Sequence, residues 1–327
     1  MKKQYNGLDL LKFVMALMVV MIHVKPNVHS EILTVLFKPL LSIAVPMFFL
    51  ISSVLFFNKF KGGLIGIINY CKRIGILYLS WLVIDSWYIV VRKPYFDLDW
   101  MSGFSEFFKD LVFGTTFPGS WYLSASVMGL LLVYSLSRVF NKYIVFLITL
   151  LVALYVSYVR LLPEFMKIPY EWYAANLREE VSLSFPAQMI WISLGQILSL
   201  WLVKIENKKC ILMPLSIGIF VGTFILFEIF PSFLFRLVMV LALFTFCFLI
   251  NLQENKIYKR LRNYSILMFF FHFSIAGKMR HFCGFVGDSL ATNWLYYILV
   301  VIISIAFAEI ILRLEKYKYL KFLRYTH

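Results

Sequence analysis

The sequence predicts an all-α, polytopic membrane protein of about ten transmembrane helices, with both termini cytoplasmic. Composition is the first reason. Of 327 residues, 61% are hydrophobic, 19% aromatic and only 15% charged, against about 25% charged in an average soluble domain. A soluble core wrapped by a chain of this length could not hide that much apolar surface. Patterning is the second reason, because the apolar residues gather in runs close to 20 long, enough to cross about 30 Å of hydrocarbon. With 15 Gly, 10 Pro and 4 Cys, disorder, collagen-like repeats and a disulfide scaffold are excluded along with a cytosolic enzyme. A single membrane domain over residues 1–327, without a soluble domain, is expected.

The expected spans are 8–24, 37–57, 74–91, 119–140, 143–162, 185–203, 211–230, 233–250, 263–277 and 293–312. The first holds Asp9 and Lys12 and precedes no small-residue cleavage site, so it reads as a retained helix rather than a signal peptide. The ninth reads as short. Two outer loops exceed a turn, 92–118 and 163–184. In the first, Phe104, Phe107, Phe108 and Leu111 recur at helical spacing, which predicts an amphipathic helix at the outer interface. Neither a repeat of 20 to 50 residues nor the inverted symmetry common in transporters is visible.

The formal charge of +15 would suggest nucleic acid in a soluble protein, but here it sorts by loop. One side gathers Lys2, Lys3, Lys59, Lys61, Lys72, Arg73, Arg138, Lys142, Lys204, Lys208, Lys209, Lys256, Lys259, Arg260, Arg262 and the tail through Arg324, about 20 basic residues against about 3 acids. The other side carries roughly 10 basic and 11 acidic residues. That asymmetry places both termini inside and leaves no reason to expect nucleic acid. Cys71, Cys210, Cys247 and Cys283 form no C-x-x-C pair, so they read as small apolar fillers rather than metal ligands.

Ionisable residues inside the spans are functional candidates, because each costs several kcal/mol in lipid unless it faces a polar interior. They are Asp9, Lys12, His23, Asp85, Arg236, His272 and Glu309. Glu309 and Arg236 lie near span ends, where snorkelling is the competing explanation. Asp85 could join two helices by a hydrogen bond, and His272 is either a cavity group or a packed neutral histidine. Lys12 and His23 are eleven positions apart, so they share roughly one helix face about 16 Å apart along the axis. A cation toward the inner end and an imidazole toward the outer half then line one route across the bilayer.

The opening Asn6-Gly7-Leu8-Asp9-Leu10-Leu11-Lys12-Phe13, running on to Met21-Ile22-His23, resembles the first helix of the acyltransferase 3 family of integral membrane O-acyltransferases. Further stretches resemble that family in order along nearly the whole chain. They are Ala44 to Ser53, Lys72-Arg73-Ile74, Ser120-Trp121-Tyr122-Leu123, Arg178 eight residues before Pro186, and Tyr264-Ser265 followed by Phe271-His272. The Arg178 match is to the membrane half of vancomycin-type serine racemases. This chain departs from the family pattern in having Lys12 where Arg is commoner, Ser53 where a Gly is usual, and no second Arg spaced after Arg73. Lys attracts phosphate as a point charge without Arg's bidentate grip. No appended hydrolase-like or racemase domain is expected after the tenth span.

The resemblance implies transfer of an acetyl group from cytoplasmic acetyl-CoA to a hydroxyl of an envelope glycan or glycolipid, in the plasma membrane, a bacterial inner membrane. Such transfer needs a base for the hydroxyl proton, and His23, with an ordinary pKa near 6.5, is the candidate. Lys12, Lys72 and Arg73 suit the donor's phosphates, although Lys72 and Arg73 also serve as a topology signal. Asp9, Trp121, Tyr122, Arg178, Arg236 and His272 are the remaining candidates for the substrate cavity. For Trp121 and Tyr122, anchoring at the interface is the first reading. The competing function is export of a polar lipid or glycan intermediate, since buried charges along a path also describe a carrier.

Overall fold

The computed structural model describes residues 5–60, 63–230, 232–283 and 289–327. Lys2, Lys3, Lys61 and the side chain of Cys283 lie outside the described residues. Among the described residues the regular structure is helical throughout. Eight helical stretches are long and apolar enough to cross a membrane. They comprise α1 (Asn6–Val24), α2 (Glu31–Phe60), α3 (Leu64–Ile84), α6 (Ser120–Val139), α7 (Lys142–Tyr158, extended by a 3-10 turn), α9 (Phe185–Asn207, preceded by one), α10 (Lys209–Leu226) and α13 (Leu290–Leu314). Two further helices fill the expected order, α11 (Phe233–Leu249, 17 residues) and α12 (Lys256–Cys283, 28 residues). Short helices α5 (Trp100–Phe113) and α8 (Glu164–Asn176) occupy the two long loops, and α4 (Ser86–Arg92) falls in the expected third span.

Several boundaries differ from the sequence reading, among them the end of the third span, which closes at Ile84 rather than at 91. Helix α3 begins at Leu64, ten residues before the expected start, so Lys72 and Arg73 lie inside the helix rather than at its mouth. The ninth span is long rather than short, because charged turns at both ends of α12 hide helix from hydropathy while backbone hydrogen bonding continues. The loop 163–184 holds a helix, α8, that its mixed composition did not announce.

The chain divides into two compact units, Met1–Ile51 with Leu202–His327, and Ser52–Trp201. In the first, α1 is the hub and packs on α11, α12 and α13. Its Met15, Ala16, Val19 and Val20 are all within 1% of complete burial. Gly7 is required at its start, since a Cβ there would lie 2.1 Å from the Cys247 carbonyl oxygen of α11. Helix α10 packs on α11 and turns most of its apolar surface outward, as expected of a lipid-facing helix. Contacts of Asp9 with Arg262 and of His23 with His272 occur in the same order along α1 and α12. The two helices therefore run in the same direction, which requires an odd number of crossings between them. Seven helices, α2, α3, α6, α7, α9, α10 and α11, lie between them along the chain, in keeping with that parity.

The second unit is tied by small polar contacts within apolar helices. Ser53 donates to the Trp191 carbonyl at 3.2 Å, and Thr149 and Ser193 share a hydrogen bond at 2.6 Å. Gly195 makes room for Ser53, because a Cβ on Gly195 would meet the Ser53 Oγ at 1.9 Å. The Ser53 side chain is thus accommodated on α9. Helix α5 forms as its apolar spacing predicts. Asp99 caps its N-terminus by accepting from the Ser102 N–H, Gly114 ends it at φ 72°, and Phe104 and Phe108 remain exposed on one face.

Candidate active site

Helices α1 and α12 bring two histidines together in the first unit. The His23 and His272 ring centres lie 5.3 Å apart, and Phe273 touches both, at 4.3 and 4.2 Å. His23 is exposed, whereas His272 is 0% exposed. The His272 Nδ1 lies 2.8 Å from the Met268 carbonyl oxygen one turn earlier. A carbonyl can only accept, so Nδ1 carries the proton, and neutral His272 keeps a lone pair on Nε2. That buried Nε2 has no hydrogen-bond partner among the described residues, an arrangement that costs about 1–3 kcal/mol.

Toward the start of the same helices, Asp9 is buried and pairs with Arg262 Nη1 at 3.5 Å. Lys12 is half-buried one turn above it on the same face. Glu309 of α13 is not a lone snorkelling acid. It accepts from Arg260 at 2.6 Å, Tyr264 at 2.5 Å and Arg313 at 2.7 Å, which ties α12 to α13. A cavity of about 260 Å³ opens at the N-terminal end of α1, lined by residues that include Asn6, Gly7, Glu206 and Lys209. Arg236 is half-buried in the first turn of α11.

In the second unit, Arg73 on α3 acts on two phenols, Tyr70 and Tyr122. Both hydroxyls reach Ser126, and Tyr122 also reaches Ser52. Tyr122 is therefore a member of a polar cluster rather than a simple interfacial anchor. Lys72 is exposed beside it in sequence. Arg178 is spent on the backbone: its Nη1 donates to the Phe113 and Gly114 carbonyls at 2.8 and 2.9 Å and its Nε to the Glu180 carbonyl at 3.3 Å. Burial holds this guanidinium below its usual pKa. It clasps the C-terminal end of α5, where Gly114 also meets Trp121, whose Cα would lie 2.3 Å from an added Cβ. Asp110 collects Lys93 at 2.8 Å, Tyr95 and Thr115.

Some participants were not legible as such. Arg262 reads in sequence as a loop charge. Tyr70, Ser52, Ser126 and Phe273 carry no signal beyond helix-compatible composition.

These features define a class: a polytopic α-helical membrane protein with buried ionisable groups on parallel helices, as expected of an enzyme acting within the bilayer. The chain belongs to the acyltransferase 3 family, whose model, described as an acyltransferase domain, matches residues 5–313. It accordingly carries a membrane acyltransferase domain. It is also similar to an amino-acid racemase from Enterococcus faecalis, 29% identical over 133 residues, which cover 39% of this chain and 18% of that protein. The similarity thus spans less than a fifth of the racemase. No solved structure matches this chain.

Proposed function

We propose that this acyltransferase moves an acetyl group from cytoplasmic acetyl-CoA to a hydroxyl of an envelope glycan or related cell-surface acceptor, with His23 as general base. It would sit in the inner membrane of a bacterium with both termini in the cytoplasm, a placement supported by the loop-charge asymmetry. The observation that carries the chemistry is the contact between exposed His23 and buried His272 on parallel helices. His23 takes the acceptor's proton as the hydroxyl oxygen attacks the thioester carbonyl. Collapse of the tetrahedral intermediate expels the coenzyme thiolate, which recovers that proton from His23.

His272 is the positioning residue in this reading. Two imidazoles joined by an N–H···N bond of about 3.0 Å, each nitrogen about 1.15 Å from its ring centre, have centres about 5.3 Å apart. The observed 5.3 Å separation puts the rings within that reach; His272 Nε2 has no hydrogen-bond partner among the described residues, and catalytic bonds of this kind close in the substrate-bound complex. With its Nδ1–H committed to Met268, His272 offers only its Nε2 lone pair. A His23 N–H given to that lone pair leaves the other His23 nitrogen unprotonated for catalysis, the tautomer-fixing part that a carboxylate plays in a hydrolase triad. Lys12, and in the second unit Lys72 and Arg73, are proposed for donor phosphates.

The test uses protein reconstituted in liposomes with radiolabelled acetyl-CoA and isolated envelope glycan. His23→Gln is expected to lower transfer at least a hundredfold with unfolding unchanged. Retention of more than a tenth of the rate removes His23 from the chemistry.

A further inference from the structure

Beyond α13 the chain reads Lys318-Tyr319-Leu320-Lys321-Phe322-Leu323-Arg324-Tyr325-Thr326, a triplet of basic, aromatic and aliphatic or small residue repeated three times. These nine residues form a 3-10 helix, Lys318–Thr326. Runs of that length are uncommon, because 3-10 hydrogen bonds are poorer than those of an α-helix. Here the sequence supplies a reason for it. With three residues per turn, positions i and i+3 eclipse, so a three-residue repeat sorts into three clean faces. In an α-helix, at about 100° per residue, Tyr325 would fall between Lys318 and Lys321 and mix the faces.

Burial follows the triplet. Lys318, Lys321 and Arg324 are exposed along one face, successive members about 6 Å apart. Tyr319, Phe322 and Tyr325 form the second face, 88%, 59% and 55% exposed. Leu320 and Leu323 are half-buried and Thr326 is buried on the third, which packs toward α13. His327 Nε2 lies 3.3 Å from the Glu315 carboxylate and fastens the far end of the segment to the end of α13. This is an ordered strut with two outward faces, one cationic and one aromatic. It begins four residues after Leu314, the last residue of a spanning helix, so chain connectivity places it at the edge of the bilayer.

We propose that residues 318–326 lie along the leaflet at the C-terminal end of α13 and bind anionic phospholipid headgroups. Lys318, Lys321 and Arg324 meet the lipid phosphates. Tyr319, Phe322 and Tyr325 seat at the headgroup level, where amphipathic rings are favoured. Water alone would satisfy the cations but leave three large aromatics exposed, and lipid tails alone would strand the cations. A charged headgroup layer satisfies both faces at once.

The full chain, with its native cysteines replaced by serine and Tyr319→Cys spin-labelled, is reconstituted in phosphatidylcholine bilayers with or without phosphatidylglycerol. Collisions of the label with oxygen and with a water-soluble nickel chelate report its depth. Shielding from the chelate is expected with phosphatidylglycerol, relieved by high salt. Replacing Lys318, Lys321 and Arg324 together by Gln should reduce the partition by on the order of a hundredfold. Chelate exposure in both bilayers, as for a segment awaiting a soluble acidic protein, overturns the proposal. So does equal shielding in both, or shielding that survives loss of the three charges.

Discussion

Replacing His272 by Phe separates a packed histidine from a working one, because the two roles predict opposite changes in stability. The substitution removes one Nδ1–H bond to Met268, worth about 1 kcal/mol net. It also removes a fully buried Nε2 that has no partner among the described residues, relieving about 1–3 kcal/mol. Phe is close in shape and sits in a shell already containing Phe273. The sum is a protein as stable as the parent or up to about 2 kcal/mol more stable. Catalysis moves the other way. In the substrate-bound complex, where the lone pair would take up the His23 N–H, its loss leaves His23 without a fixed tautomer, and kcat is expected to fall about 10²- to 10³-fold with KM nearly unchanged. Thermal unfolding in detergent and initial rates of acetyl transfer measure the two quantities on the same preparation. Nitrogen-15 spectra of histidine-labelled protein add a direct readout, in which the His23 signals shift from one tautomer to a mixture. In a His23→Gln background, His272→Phe should cost no further rate, whereas in the parent His272→Gln, which keeps an acceptor, should retain more rate than His272→Phe. A variant that loses stability and rate in proportion, with the His23 tautomer unchanged, would show that His272 merely packs.

Lys12→Ala is expected to raise the apparent KM for the acyl donor with little change in kcat, and Lys12→Arg to preserve or lower that KM; equal kinetics in Lys12→Ala would assign the charge to orientation alone. Gly195→Ala should destabilise by about 1–3 kcal/mol through overpacking against Ser53. Ser53→Gly should partly rescue it, so denaturation of the double variant tests whether the two positions share one space. Asp110 is pushed up by burial but pulled further down by Lys93, Thr115 and Tyr95, and its carboxyl sits below the usual range. Its contribution is therefore fully present above the unfolded value near 3.9 and is lost as pH falls toward the lower folded value. Protection of α5 from proteolysis in the parent should exceed that in Asp110→Asn at neutral pH, and the difference should vanish in acid.

Hydropathy reveals where lipid is, and it located the spanning segments well where apolar residues fill a whole helix, as in α7 and α13. It failed at α12, where Lys256, Lys259, Arg260 and Arg262 at one end and Lys278, Arg280 and His281 at the other continue the helix beyond hydrocarbon. It failed again at α3, where Asn69 through Arg73 interrupts the apolar run without interrupting the backbone ladder. The α5 face was legible because four apolar side chains repeat within one helix. The site was half legible for the same reason. Lys12 and His23 share a helix, so spacing links them. His272 is 249 positions from His23, and no local period connects residues that only tertiary packing joins.

The two contacts between α1 and α12 also explain why the partner of Asp9 must be long. From Asp9 to His23 is fourteen residues, about 21 Å of helix, whereas from Arg262 to His272 is ten, about 15 Å. If the histidines lie level, the Arg262 backbone stands about 6 Å above that of Asp9 along parallel axes. Helical side chains slope toward the N-terminus, so Arg262 leans down toward Asp9, and its stem spans the offset to close the pair at 3.5 Å. A short donor such as Asn at 262 would withdraw that cation from the Asp9 carboxylate, 4% exposed, and remove the ion pair that joins the two helices. The ion pair and the histidine contact thus set one register between the two helices, and a change at the charged end is transmitted to the geometry at His23 through the rigid length of α1.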